Sequence, residues 1–383
     1  MNINELKLRF SDIFESQPLI VKSPGRINII GEHTDYNDGF VMPAAINKAI
    51  YVALSKRADT EVHLYAENYK QLHIVSLENI VKSEKGWANY VLGVIDQLQK
   101  NGYILGGFNL YLTGDVPLGA GLSSSAALEC AVAHALNHTF SLNLSKMDLV
   151  LTSQKAEHEF AGVNCGIMDQ FASVFGREGH AMLLDCRSVE HEYIPLDLKG
   201  HKFILFNTNV KHKLSESAYN QRRSQCELGV ELVKANNPEV KSLRDTSLAE
   251  LEEFVKPVDR QVYEKCRYVI EEIDRTKLAS DKLKQGDLAA LGKLMFQTHS
   301  GLSKIYEVSC PELDFLVDQV SSHEGVLGSR MMGGGFGGCT INLIRADQVD
   351  ELTSKMISLY QSEFGISLDT YVVESDEGTS IVY

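Results

Sequence analysis

The sequence predicts a chain of two domains that mixes strands with helices, and three observations carry this. Its 383 residues exceed what a single hydrophobic core usually serves. Segments of period-two alternation, such as Ala49-Ile-Tyr-Val-Ala-Leu54, stand among segments of helical spacing, such as Trp87 to Leu98. A glycine-poor, charge-rich helical tract from Ser215 to Asp287 differs in composition from everything before it. The boundary is placed at a turn bracketed by Pro195 and Gly200, giving one domain of residues 1–195 and another of 196–383.

Taken in order, residues 1 to 15 place Leu6, Leu8, Phe10, Ile13 and Phe14 on a helix. From Pro24 the chain reads as a strand, with Ile27 and Ile29 alternating against Arg26 and Asn28, and it breaks at Gly31 into a polar loop. Glu32, His33 and Asp35 lie on that loop. Two carboxylates and an imidazole so close to Arg26 suit the adjacent hydroxyls of a sugar, with a plain solvated loop as the alternative. Phe40 to Leu64 is strand-like, two short strands follow before Gly86, and a helix opens at Trp87, which is either a core anchor or a ligand platform.

Asn109 to Thr113 alternates again and feeds the stretch from Gly114 to Glu129, around which the chain is organised. Gly119 and Gly121 permit positive φ, and the run from Ser123 starts a helix whose free N–H groups form an anion seat suited to phosphate. No lysine accompanies the serines, so this is not a Walker A loop, and the bland alternative is a turn capping a buried helix. His134 and His138 have the spacing of a helical zinc pair but lack the glutamate of a zincin.

A further helix, Ser145 to Phe160, carries Glu157. Asp169 follows a glycine-hinged turn and precedes an apolar run, Phe171 to Phe175, read as a strand; it is either a helix cap or a buried functional carboxylate. Gly333 to Gly338 contains G-x-G-x-x-G, but the alternating Cys339 to Ile344 that follows is a strand, which excludes a dinucleotide fingerprint and leaves a turn for close backbone approach.

Composition narrows the partners. With 37 Lys plus Arg against 51 Asp plus Glu, the net charge of -14 repels nucleic acid and acidic membrane, so a charged substrate needs local handling, with a divalent cation. No apolar run reaches the length of a membrane span and no signal-peptide core opens the chain, so a cytoplasmic protein is expected. Seven cysteines, an odd number and widely spaced, indicate neither a disulfide framework nor a zinc knuckle.

Three segments, Pro24 to Tyr36, Leu118-Gly-Ala-Gly-Leu-Ser-Ser-Ser-Ala-Ala127 and Gly333 to Gly338, resemble the galactokinase branch of the GHMP kinases, the superfamily that also holds homoserine, mevalonate and phosphomevalonate kinases. With Cys165-Gly-Ile-Met-Asp-Gln170 and the Trp87 segment, the resemblance spans nearly the whole chain. It implies an α+β fold of two domains with the active site in the cleft between them. By the same resemblance Glu32, His33, Thr34 and Asp35 hold sugar hydroxyls, helped by the Gly166 backbone and the Tyr219 phenol. The loop of Gly119, Ala120, Gly121, Leu122, Ser123, Ser124 and Ser125 holds the ATP phosphates, Trp87 lies near the adenine, and Ser125 with Glu157 holds Mg²⁺.

The implied reaction moves the γ-phosphoryl group of ATP to the anomeric hydroxyl of α-D-galactose. Asp169 then accepts the hydroxyl proton and Arg26 offsets charge on the transferring group. The expected partners are galactose and ATP alone, with no nucleic acid or membrane, and the expected state is a monomer. Two alternatives stand beside this: a kinase for N-acetylgalactosamine or another sugar, and a non-catalytic galactose sensor. Such sensors resemble kinases lacking a Ser-Ala pair in the phosphate loop, whereas Ser125-Ala-Ala127 is complete here.

Overall fold

A computed structural model describes residues 2–117, 119–211 and 215–383; Leu118 of the phosphate loop lies outside these. In chain order the strands are β1 Leu19–Asn28, β2 Phe40–Val41, β3 Pro43–Lys56, β4 Glu61–Ala66, β5 Gln71–Ser76, β6 Phe108–Gly114, β7 His180–Asp185, β8 His191–Pro195, β9 His201–Lys211, β10 Val326–Met331, β11 Gly337–Arg345, β12 Asp369–Val373 and β13 Ser380–Val382. They form a six-stranded sheet in the order β13-β1-β3-β6-β4-β5, a four-stranded sheet β10-β11-β9-β12 and a small sheet β2-β7-β8.

Helix α1 (Ile3–Phe14) is capped by Asn2, whose side chain accepts from the Asn4 and Glu5 amides, and it lays Leu6 and Phe10 against Ile20, Ala53 and Tyr111 of the six-stranded sheet. Helices α2 (Ala88–Lys100), α3 (Ser124–Phe140) and α4 (Lys146–Ala156) belong to the largest core cluster. Ten residues of α3, from Ala126 to Leu136, are buried; a helix apolar on nearly every side is a central helix, and this one packs on β1 and β3. It therefore fixes the loop at its N-terminus relative to β1.

Two local departures from the sequence expectations matter for the site. The helix carrying Glu157 is regular only to Ala156 and closes in a single π turn, Glu157–Ala161, ended by Gly162 at φ 85°. The run Phe171 to Phe175, expected as a strand, is instead helix α5 (Met168–Phe175). A short apolar run is ambiguous by periodicity. The structure resolves it through spacing: Phe171 and Phe175, four apart, stack with ring centroids 4.3 Å apart and planes 11° apart.

The expected charge-rich helical tract begins with α6 (Ser215–Lys234) and continues into helix Arg260–Lys284. The glycine-rich segment 333–338 links β10 to β11 through residues 333–336 and opens β11 with Gly337 and Gly338, in keeping with its strand context. All seven cysteines are free thiols. Among the described residues no helix is long and apolar enough to cross a membrane, and no group of His, Cys, Asp and Glu side chains is arranged to hold a metal by itself.

Candidate active site

The site begins with a bulge. Pairing of β1 with β3 slips between Pro24 and Arg26, and at Gly25 an added Cβ would lie 2.7 Å from the Leu122 carbonyl oxygen. Without a side chain there, the glycine-serine loop settles onto β1: the Arg26 amide donates to Leu122 O at 3.1 Å, and Arg26 Nη1 donates to Gly121 O at 2.5 Å. Arg26 is buried, and its Nε and Nη2 reach Asp169 Oδ1 at 2.8 and 2.7 Å. Ser123 Oγ donates to the other carboxylate oxygen, Oδ2, at 2.6 Å. Asp169 sits in the first turn of α5, so three separate elements converge on one carboxylate.

That carboxylate lines a cavity of about 290 Å³ whose wall on one side is the loop after β1 together with the turn before α5. The other side is Tyr219 of α6 and Gly333 to Phe336 of the turn between β10 and β11. Glu32 is buried and paired with the fully buried Arg330, whose Nη1 and Nη2 reach Glu32 Oε1 at 3.1 and 3.0 Å; the Gly333 amide donates to the same oxygen at 2.9 Å. His33 takes φ 64°. Its Nδ1 lies 2.8 Å from Tyr36 Oη, which lies 2.8 Å from Tyr306 Oη, and its buried Nε2 has no side-chain partner among the described residues. Burial pushes the imidazole down to about 4, so it is neutral at physiological pH.

Asp35 is pushed up to about 7, first by burial and then by the negative charge of Asp169. Gly166 is the reason it stays in place: an added Cβ there would lie 1.8 Å from Asp35 Oδ2. Thr34 stands apart, with its hydroxyl 2.9 Å from Gly31 O and 2.6 Å from Phe40 O; it closes the loop instead of facing the cavity. The Tyr219 phenol is raised well above its ordinary value by burial and by Asp35, and so remains a hydrogen-bond donor.

A second cavity, of about 490 Å³, adjoins the phosphate loop and is lined by Trp87, Tyr69, Asn68, Leu128, Ser124 and Ser125. Trp87 stacks on Tyr69 with planes 11° apart, and its buried Nε1 has no partner among the described residues. Ala120 and Leu122 point into the core, leaving only their backbone groups for a ligand. Gly119 and Gly121 have φ of 75° and 73°, as the turn requires. Ser125 Oγ donates to Glu157 Oε1 at 2.9 Å, and since Glu157 lines the first cavity and Ser125 the second, this bond stands where the two meet.

Behind Glu157 lies a group that the sequence did not announce. Gln170 Nε2 donates to Glu157 Oε2 at 2.6 Å and to Glu129 Oε2 at 3.4 Å. Burial raises both acids, Glu129 far above the usual carboxylate range. Arg330, Tyr36 and Tyr306 were also missed. Arg330 carries no local signal, because its partners lie some three hundred residues earlier in the chain.

Comparison with known proteins decides the family. The model of the galactokinase galactose-binding signature matches residues 8–56, the segment that holds Arg26 and the loop to Asp35. Models of the GHMP kinases N terminal domain and C terminal region match residues 89–177 and 279–362. A galactokinase of Thermotoga petrophila is 44% identical over 94% of this chain and 98% of its own. The chain belongs to the galactokinase family. A galactokinase of Clostridium beijerinckii is 41% identical over 99% of this chain and 98% of its own. The crystal structure of Lactococcus lactis galactokinase complexed with galactose superposes with a TM-score of 0.95 at 35% identity, covering 99% of this chain and all of that one. As a galactokinase-family member the chain is a kinase with the GHMP fold, and ATP is its co-substrate.

Proposed function

We propose that the chain transfers the γ-phosphoryl group of ATP to the anomeric hydroxyl of α-D-galactose, releasing galactose 1-phosphate and ADP. The observation that carries this reading is the Asp169 carboxylate, held by Arg26 and Ser123 on the wall of a sugar-sized cavity next to the phosphate loop. Glu32, His33, Asp35 and the Tyr219 hydroxyl, which line the cavity, offer acceptors and donors for the ring hydroxyls. Asp169 takes the anomeric hydroxyl's proton as that oxygen bonds to the γ-phosphorus and the bond to the bridging oxygen of ADP breaks. Arg26, beside it, offsets charge on the transferring group. Trp87 and Tyr69 line the cavity that suits the adenine, and Ser124 with the loop amides suits the phosphates.

Mg²⁺ fits the pair Ser125 and Glu157: the two hard oxygens already meet at 2.9 Å where the cavities join, and burial beside Asp169 leaves the Glu157 carboxylate wanting a cation. When bound there, Mg²⁺ supplies charge neutralisation to the phosphates. Glu157→Gln is expected to raise the Mg²⁺ concentration for half-maximal rate by at least about tenfold. Titrating Mg²⁺ at saturating ATP and sugar checks this, and an unchanged midpoint takes Glu157 off the metal.

Gly166→Ala is a test of the sugar side. Its Cβ displaces Asp35, so the galactose KM is expected to rise about tenfold, the cost of one unmet buried polar group, with the KM for ATP nearly unchanged. Equal losses for both substrates would count against a sugar role for Asp35. The reaction as a whole is tested by coupled ADP release over galactose, 2-deoxygalactose, N-acetylgalactosamine, glucose and arabinose. Preference for galactose is expected; preference for N-acetylgalactosamine would reassign the substrate, and no turnover with any sugar would favour a sensor.

The site is complete within one chain, which supports a monomer, and seven free thiols suit the reducing conditions of the cytoplasm. Two domains, 1–195 and 196–383, then meet at the cavity, with β13 returned to the first.

A further inference from the structure

The three successive serines of the phosphate loop do not share one task. Ser124 and Ser125 line the nucleotide cavity. Ser123 takes φ 57° and ψ 50°, the left-handed region that non-glycine residues seldom occupy, and its side chain caps nothing at the start of α3. That backbone conformation turns its hydroxyl to the sugar side, where it donates to Asp169 Oδ2 at 2.6 Å. Oδ1 is committed to Arg26, so Oδ2 is the oxygen left to meet a sugar hydroxyl. A carboxylate oxygen accepts two hydrogen bonds, and Ser123 occupies one direction, which fixes the other toward the cavity.

We propose that Ser123 is a positioning residue for Asp169, not a phosphate ligand, and that its left-handed backbone is kept for this purpose. The hydroxyl locks the carboxylate's rotation and, together with the bond from Arg26 Nη1 to Gly121 O, ties the loop that receives the nucleotide to the group that receives the sugar proton. Transfer therefore depends on Ser123 through Asp169, while nucleotide affinity does not. This rests on the reading of Asp169 as the proton acceptor.

The test uses the full chain and four variants: Ser123→Ala, Ser123→Gly, Asp169→Asn and Ser123→Ala combined with Asp169→Asn. Ser123→Gly keeps the positive φ without strain and lacks only the hydroxyl, so it separates the side chain from the backbone. Both single serine variants are expected to slow single-turnover transfer about tenfold, the loss of a hydrogen bond to a charged group. The KM and the directly measured Kd for ATP should stay within about twofold. In the Asp169→Asn background the serine change should cost less than about twofold more, because the group it positions is already disabled.

A tenfold rise in the Kd for ATP with transfer intact returns Ser123 to the phosphates and overturns the proposal. So does a fast Ser123→Gly beside a slow Ser123→Ala, or a full tenfold effect that adds in the Asp169→Asn background. If Asp169→Asn alone transfers at the wild-type rate, the reading of Asp169 falls, and the proposal with it; a slow Asp169→Asn beside wild-type serine variants overturns the proposal alone.

Discussion

Asp169→Asn is expected to lower single-turnover phosphoryl transfer by about 10² to 10⁴, equivalent to about 3 to 5 kcal/mol of barrier. The change is nearly isosteric. An amide can still accept from Arg26 or Ser123 through its oxygen, but it cannot take the sugar proton, and its NH₂ group faces donors that previously met an acceptor. The fold and ATP affinity should survive because the shape is kept, the melting temperature should drop because the buried Arg26 loses its charged partner, and galactose affinity should fall modestly. Rapid-quench measurement at saturating ATP and galactose gives the rate, with a thermal melt as control. A folded variant transferring within about threefold of wild type would remove Asp169 from the chemistry, leaving positioning and Arg26 to account for it, since phosphoryl transfer has a loose transition state.

Arg330→Met is expected to cost about 3 to 5 kcal/mol of stability, the penalty for stranding a buried charge. Arg330 is fully buried; Nε donates to Ile29 O at 2.8 Å, Nη1 to Met331 O at 2.6 Å, and Nη2 to Asn28 O and Glu32 Oε1. Removing the guanidinium leaves Glu32 in a site where the Gly333 amide is its one remaining hydrogen-bond donor among the described contacts, and it also frees two carbonyls at the end of β1. Adding Glu32→Gln to Arg330→Met should recover part of the loss, because the stranded group is then neutral. Urea denaturation of the two variants and the parent checks this. If Arg330→Met unfolds at the parent's urea midpoint, the pair is not what holds the loop.

Much of the site was legible because its pieces are local. Arg26 to Asp35, Gly119 to Ser125 and Cys165 to Asp169 are short runs in which glycine placement and polar spacing signal backbone approach and ligand contact; the first and third line one cavity, and the second is tied to them through Gly121 and Ser123. What sequence could not supply is the third dimension. Arg330 lies in a strand otherwise unremarkable by pattern, and only the crossing of β10 behind the sugar loop brings it to Glu32. The Tyr36 and Tyr306 hydroxyls that adjoin His33 come from opposite halves of the chain. The α5 run is a helix because its two phenylalanines stack in a core that local alternation cannot reveal.

The return of β13 to the first sheet bears on how the molecule is made. Ile20, Val21 and Lys22 pair with Val382, Ile381 and Ser380; Ser23 Oγ lies 2.8 Å from Thr379 Oγ1, and Lys22 pairs with Asp376. The strand that carries Arg26 thus leaves the ribosome well before its outer neighbour. Until residues 376 to 382 emerge, β1 presents an open edge, the kind of surface that recruits strands from other chains. Throughout that interval, the part of the candidate site carried by β1 waits with one flank uncovered for a segment 354 residues downstream.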